Sequence, residues 1–299
     1  LKEAPKTMKS ERQKKDKKLA KEGKDAPWPS WEDLKKEDEE EKAMLIFPVT
    51  DAQGKFVRRF KTSPSAGTHR IVCDFPYPPT SPINLRSRSG YSPYSSEDKG
   101  PRAAPGKYSV EMAMIKDGKV TPMGEKQSFV VKPLNNSTLP AKDPANSEKF
   151  MKRLAELNRA ISGANRLRGE LGTKMKHIAK ALELTPSAPL DLMANVQDLN
   201  ERLREMRYAL NGDPTKSRRQ FTGDPSISGR VGTVEWTYSA TRSEPTQTMR
   251  DQLDIAEEEF APVLKKLKQV ITEIEALERK LETVGAPYTP GRVPGWEKE

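Results

Sequence analysis

The fold is decided by the stretch Pro105-Gly106-Lys107-Tyr108-Ser109-Val110-Glu111-Met112. Proline presets φ and glycine permits a positive φ, so Pro105-Gly106 predicts a turn. Tyr108, Val110 and Met112 then alternate with polar residues, which predicts a strand with one apolar face. A run of heptads further along the chain predicts long helices. The sequence therefore combines a β-module with a helical part.

The sequence on either side of this stretch keeps the strand period of two. An apolar run at 44–47, a turn at 51–54 and a returning segment at 55–60 predict one hairpin. The dipeptide Asp117-Gly118 is typical of a tight hairpin turn and predicts a second.

Further strands are predicted at 71–75, where Ile71, Cys73 and Phe75 alternate with polar residues, and at 129–131. Because turns rather than helices separate the strands, we expect an antiparallel, Ig-like β-sandwich over residues 44–134. The Pro- and Ser-rich segment 76–105 is too long for a tight connection and is predicted to be a loop.

A helical period begins after the Pro- and Asn-rich linker 135–146. Three stripes of apolar residues, spaced by three and four, each predict a helix with one buried face. The first contains Phe150, Leu154, Leu157, Ile161, Ala164, Leu167, Leu171, Met175, Ile178 and Leu182. The second contains Leu192, Val196, Leu199, Leu203, Met206 and Leu210, and the third contains Leu253, Ala256, Phe260, Val263, Leu267, Val270, Ile274, Leu277, Leu281 and Val284.

Short connections in a single chain favour an antiparallel three-helix bundle over 147–299, with the third stripe as a coiled-coil seam. A long irregular loop near 212–243, which includes Trp236 and Tyr238, and an extended C-terminal tail complete this region. The whole chain is expected to be an α+β multidomain protein, with the sandwich followed by the bundle.

Residues 1–43 are rich in Lys and Glu and predict a charged, partly helical arm. Within it, Ser30 is placed to cap a helix that begins at Trp31, with Asp33 in the first turn. Trp28 and Trp31 offer large apolar areas in a polar stretch. The sequence allows them to pack on the β-module, on a partner or on a sugar.

Composition excludes several classes of protein. The formal net charge of +10 is diluted by 43 acidic residues that interleave with the basic ones, so no nucleic-acid partner is predicted. The single cysteine, Cys73, leaves no intramolecular disulfide. No apolar stretch approaches the roughly 20 residues that span a bilayer. The start Leu1-Lys2-Glu3 has neither an initiator Met nor a signal core, so we expect a fragment or a processed product.

The sequence offers no catalytic, metal-binding or cofactor-binding constellation, and we expect no enzyme activity. His69 and His177 are the only histidines, and they are too far apart in sequence to suggest a ligand motif. Serine-nucleophile elbows and Gly-rich phosphate loops are absent. The candidate contact residues are aromatic, for a glycan, a protein or a neighbouring domain: Trp28, Trp31, Tyr77, Tyr91 and Tyr94.

Several segments, taken in order, resemble one known family. They are Trp28-Pro29-Ser30-Trp31, Val57-Arg58-Arg59-Phe60, Gly67-Thr68-His69-Arg70-Ile71-Val72-Cys73-Asp74-Phe75-Pro76-Tyr77, Ala104-Pro105-Gly106-Lys107-Tyr108-Ser109-Val110 and Gly285-Ala286-Pro287-Tyr288-Thr289-Pro290-Gly291-Arg292. Together they resemble the region behind the β-propeller in bacterial exported proteins that are sortilin-like or sialidase-like, with Asp-box repeats, and that are often labelled glycosyl hydrolases. The chain departs from that pattern at Cys73, where the family usually has Trp.

The resemblance implies a non-catalytic accessory region of an exported protein, with the missing propeller as its partner. The propeller and its Asp-boxes, where a hydrolytic site would be sought, are not in these residues. Two other functions stay open on the sequence. One is a structural or adhesive protein that pairs helices through the seam 253–284, and the other is an enzyme with an unrecognised site in the 76–105 loop.

Overall fold

The computed structural model describes residues 1, 3–73, 75–85, 99–134, 139–241 and 243–296. The chain divides into two compact units. The sheet unit comprises residues 1–78 and 102–134, and the helical unit comprises residues 79–101 and 135–299. The predicted α+β class is confirmed. Residues 79–101 fall in the helical unit, although the sequence placed them in the β-module.

The sheet unit contains six antiparallel strands. They are β1 (Met44–Asp51), β2 (Phe56–Thr62), β3 (Gly106–Val110), β4 (Ala113–Lys116), β5 (Lys119–Pro122) and β6 (Gln127–Val131). β1 pairs with β2 on one side and with β4 and β3 in succession on the other. β6 pairs with β3, and β5 pairs with β4. Both predicted hairpins are confirmed, and Asp117 and Gly118 have the positive φ values of 49° and 69° that their turn requires.

The structure does not confirm the Ig-like sandwich, because the described strands belong to one open sheet. The strand predicted at 71–75 is also wrong. Phe75 has φ 55°, which is incompatible with an extended strand, and only an isolated bridge joins Pro76 to Arg102. The turn at Phe75 places its ring 5.4 Å from that of Tyr108 and 5.5 Å from that of Phe129, centroid to centroid.

The sheet packs on a small core. Val49, Val57 and Tyr108 are buried, and Phe75 and Phe129 are among the half-buried residues that pack around them. The Tyr108 hydroxyl donates a hydrogen bond to the carbonyl of Ala104. β3 therefore lies inside the sheet, between β1 and β6, as its alternating residues predict.

The arm and the helical unit contain seven helices within the described residues. The arm holds α1 (Met8–Lys21) and α2 (Trp31–Glu39). The helical unit holds α3 (Pro144–Glu183), α4 (Leu190–Asn211), the short α5 (Pro214–Ser217), α6 (Ile227–Thr241) and α7 (Gln247–Thr283). The predicted second stripe matches α4, and the predicted third stripe matches α7, which continues through Pro262.

The simple three-helix bundle is not confirmed, because α6 occupies much of the loop predicted at 212–243. α3 and α7 run parallel, since Arg153 pairs with Glu257 and Lys174 pairs with Glu278. α6 runs antiparallel to α3. Ser228, near the start of α6, is hydrogen-bonded to Asn165 of α3, whereas Glu235, further along α6, is hydrogen-bonded to the earlier residue Asn158.

α4 lies antiparallel to the second half of α3, in tandem with α6. The side chain of Asn211, at the end of α4, bonds the same Asn165 that bonds Ser228. Arg202 of α4 pairs with Glu273 in the second half of α7. Two short helices therefore fill, one after the other, the position that the sequence assigned to a single helix.

The apolar stripe of α3 differs from its prediction at one position. Leu167 is 36% exposed, and the half-buried residue at this level is Arg168. The step from Ala164 to Arg168 to Leu171 keeps the spacing of four and three. The Nε atom of Arg168 is buried without a hydrogen-bond partner among the described residues. Burial, together with the nearby Arg207, lowers the pKa of Arg168.

The C-terminal tail is folded back onto the end of α7 rather than extended. Arg292 lies 3.2 Å from the carboxylate of Glu282, measured from its Nε, and its guanidinium lies 4.6 Å from the ring centroid of Tyr288. The backbone N–H of Gly295 donates to the Tyr288 hydroxyl at 3.0 Å. Ala286 is thereby buried in the helical core.

Candidate docking site

The arm is a pair of helices, and the two candidate tryptophans lie where they join, Trp28 in the connection and Trp31 as the first residue of α2. The Ser30 hydroxyl accepts a hydrogen bond of 3.1 Å from the backbone N–H of Asp33, so it caps α2 as predicted. Asp33 lies in the first turn, where a carboxylate complements the helix dipole. Helix α2 therefore begins at Trp31, at a point fixed by its cap.

A bidentate ion pair joins the two helices of the arm. Arg12 donates from Nε to Glu37 Oε1 at 2.6 Å and from Nη2 to Oε2 at 2.8 Å. The hydrogen bonds from Arg12 hold the pKa of Glu37 below its ordinary value. The two helices are thus clamped together some distance from their connecting turn.

A second set of contacts fixes the base of the arm to the sheet. Glu40 Oε2 accepts from the backbone N–H of Met8 at 2.7 Å, and Glu40 Oε1 lies 3.4 Å from Nζ of Lys116 in β4. Lys116 also donates to the carbonyl of Lys6 at 3.2 Å. The arm is therefore anchored at its base within the sheet unit.

The tryptophans lie at the opposite end of the arm and are open to solvent. Trp28 is 87% exposed and Trp31 is 84% exposed. Packing on the β-module, which the sequence allowed, is therefore not seen. Pro27 and Pro29 flank Trp28 and restrict its backbone. Both indole rings are therefore presented at this end of the arm, Trp28 on the connection and Trp31 at the start of α2, where the Ser30 cap fixes the backbone.

The tyrosine candidates do not join them. Tyr77 is half-buried and packs against the cluster of Val49, Val57 and Tyr108. It therefore belongs to the sheet core rather than to an exposed loop. Tyr91 and Tyr94 lie outside the described residues.

Within the described residues, neither histidine lies in a cluster of groups suited to catalysis. Nε2 of His69 lies 3.1 Å from the Ser65 hydroxyl, and His177 is exposed on α3. A shallow depression of about 340 Å³ on α3 includes Arg166 and Glu170, which pair with each other at 2.6 Å. No cluster of three or more His, Cys, Asp or Glu side chains suited to a metal occurs in the part of the chain that the structure describes.

Sequence reasoning missed a further exposed aromatic residue, Trp236, because it treated residues 212–243 as a loop. Trp236 is 75% exposed on α6. A signal for the helix was present in Ile227, Val231, Val234 and Tyr238, all buried and spaced by four, three and four.

No protein-family model, curated protein or solved structure matches the chain. No helix within the described ranges is both long enough and apolar enough to cross a membrane.

Proposed function

We propose that the chain is a non-catalytic accessory region of an exported propeller protein, and that it docks its partner through Trp28 and Trp31. The observation that carries this proposal is the exposure of both indole rings, 87% and 84%, on an anchored pair of helices. The sortilin-like, sialidase-like resemblance supplies the expected partner, the propeller that precedes such a region.

The chemistry of the two side chains supports a docking role. Tryptophan is enriched among the residues that dominate binding energy, because it buries a large area with few rotatable bonds. An exposed tryptophan contributes this binding free energy only when a partner covers its ring. The cap at Ser30 and the clamp between Arg12 and Glu37 reduce the ordering that binding requires.

The helix-pairing alternative is less well supported. Its seam on α7 is occupied inside the helical unit, where Leu253, Leu267 and Leu281 are almost completely buried. A second chain could reach this seam only after the unit had opened. The arm needs no such rearrangement to reach a partner.

The test measures the affinity of the chain for the propeller of its parent protein, expressed as a separate piece, by isothermal titration calorimetry. Changing both Trp28 and Trp31 to Ala is expected to weaken binding on the order of a hundredfold, because each truncation removes a central contact. Trp296→Ala is the matched control, since Trp296 is 82% exposed but lies in the C-terminal tail.

Equal affinities for the double variant and the wild-type chain would refute docking through the arm. A wild-type chain that does not bind the propeller, yet binds a glycan through the two tryptophans on an array, would replace the protein partner with a sugar. Hydrolysis of a chromogenic glycoside panel or of casein by the purified chain would instead promote the enzyme alternative.

A further inference from the structure

Helix α6 differs in composition from the other long helices of the helical unit. Its 15 residues include only two charged ones, Arg230 and Glu235. Arg230 donates to Gln252 at 2.8 Å and lies 3.3 Å from Glu259, both on α7. Glu235 accepts from Asn158 of α3 at 3.0 Å. Both charges of α6 are therefore used within the helical unit.

The side of α6 that faces solvent consequently carries no charge. We call Gly229, Gly232, Thr233 and Trp236, all of them exposed, the outer face of α6. Trp236 is 75% exposed. In a chain in which 32% of residues are charged, an exposed helix face without charge and with a tryptophan suggests a surface that another molecule covers.

The outer face is complementary to itself. Trp236 follows Gly229 by two helical turns, so both lie on one line along the helix, with Gly232 and Thr233 between them. Consider a second α6 that packs antiparallel about a two-fold axis midway between Gly232 and Thr233. Each Trp236 then lies over Gly229 of the other copy, and each Thr233 lies over Gly232. At each of these positions a side chain of one copy, either Trp236 or Thr233, lies over a glycine of the other.

We propose that the outer face of α6 binds a second copy of this chain in an antiparallel, two-fold symmetric pair. A two-fold axis requires a surface that matches itself, and this face does. The distribution of charge also favours a second copy of the chain as the partner of this face. The chain carries a formal net charge of +10, so two copies repel over most of their surfaces, and an uncharged face brings no like charges into contact.

The pair is expected to be weak. One face of a helix about 22 Å long covers less area than the roughly 800 Å² per partner of a standard interface. Association should therefore depend on concentration. The inference does not rest on the proposed function, since it involves neither Trp28 nor Trp31.

The first experiment measures the mass of the full chain by sedimentation equilibrium over a range of concentrations. The wild-type chain is expected to shift from monomer to dimer as its concentration rises. Trp236→Ala is expected to raise the dissociation constant of the dimer about thirtyfold or more. Trp296→Ala, at an 82% exposed tryptophan outside both proposed surfaces, is the matched control and should leave the dissociation constant unchanged. Gly232→Ala should also weaken the pair while preserving α6, because a Cβ added at Gly232 meets nothing within 4 Å in the chain itself.

The second experiment tests the two-fold axis directly. Thr233→Glu and Thr233→Lys each place like charges beside each other across the axis, so each variant alone should be monomeric. An equimolar mixture of the two should regain the dimer, because opposite charges then face each other. Circular dichroism of each variant checks that the helices remain folded.

The proposal would be overturned if the wild-type chain remained monomeric at millimolar concentration, or if Trp236→Ala left a dimer unchanged. Failure of the mixed Thr233 variants to associate, although both are folded, would also overturn it. A monomeric chain in which Trp236→Ala weakens propeller binding would assign the face to that partner and likewise overturn pairing with a second copy.

Discussion

The sheet unit and the helical unit have cores of very different size. The buried cluster of the sheet consists of Val49, Val57 and Tyr108, with a ring of half-buried residues around it. The helical unit buries one large cluster of apolar residues that extends from Phe150 and Met249 at one end to Leu182 and Leu281 at the other. Hydrophobic burial is the main stabilising contribution, so we expect the helical unit to tolerate a lost side chain that the sheet unit does not.

The substitution Tyr108→Ala is expected to produce the largest difference in stability between the two units. This change removes the buried ring of the aromatic cluster and the hydrogen bond to Ala104, at a cost of about 3 to 5 kcal/mol. We expect the sheet unit to unfold while the helical unit remains folded. Hydrogen exchange followed by mass spectrometry would show lost protection in β1, β2, β3 and β6 and retained protection in α3 and α7.

Leu267→Ala is the matched change in the helical unit, where Leu267 is 1% exposed. It removes a comparable buried contact, about 2 to 5 kcal/mol, but leaves the rest of the cluster in place. Its melting temperature should fall while α3 and α7 stay protected at 25 °C. If each variant lost hydrogen-exchange protection equally in its own unit, the two cores would not differ in how well they tolerate the loss of a buried side chain.

A smaller change in the opposite direction is expected from Arg168→Leu. Leucine would restore the apolar stripe of α3 and remove a half-buried cation that lies near Arg207. We expect the free energy of unfolding of the helical unit to rise by about 1 kcal/mol, measured by urea denaturation. Arg166→Leu, at an exposed position paired with Glu170, is the control and should not stabilise the unit. Destabilisation by Arg168→Leu would indicate that the guanidinium has a stabilising role.

The smallest effect concerns the pH dependence of the arm. The folded-state pKa of Glu37 lies below its ordinary value of 4.5, so the stabilisation from Arg12 is complete above that pH. It is lost as the pH falls through the lower folded-state pKa. An NMR titration of the Glu37 carboxylate should show the lowered pKa in the wild-type chain. In Arg12→Met the pKa should return towards 4.5, and an unchanged pKa would show that another group causes the shift.

The sequence predicted two kinds of element: helices whose apolar spacing repeats over many turns, and turns that neighbouring residues specify. The stripes of α3, α4 and α7 repeat over many turns, and the turn at Asp117-Gly118 is specified by two residues. Helix α6 was hidden by its glycines and β-branched residues, which have low helix propensity, and its packing on α3 and α7 overrides that preference.

The candidate site was predicted only in part, for a different reason. Composition alone pointed to Trp28 and Trp31, and Ser30 predicted the start of α2. Their exposure depends on where the arm is anchored, through contacts such as that between Glu40 and Lys116. Tyr77 packs on strand residues distant in sequence, Val57 and Tyr108 among them, and no local pattern predicts such contacts.

The tandem arrangement of α4 and α6 has a consequence for how this chain can change in length. The segment between them passes over the surface, and residues 215–225 are exposed. α4 and α6 meet beside Asn165 of α3, and α3 and α7 each continue past this level without a break. Extra residues placed in this segment would not shift the register of either long helix. This segment is therefore a place where the helical unit could accept an inserted peptide, or a whole inserted domain, with its core intact.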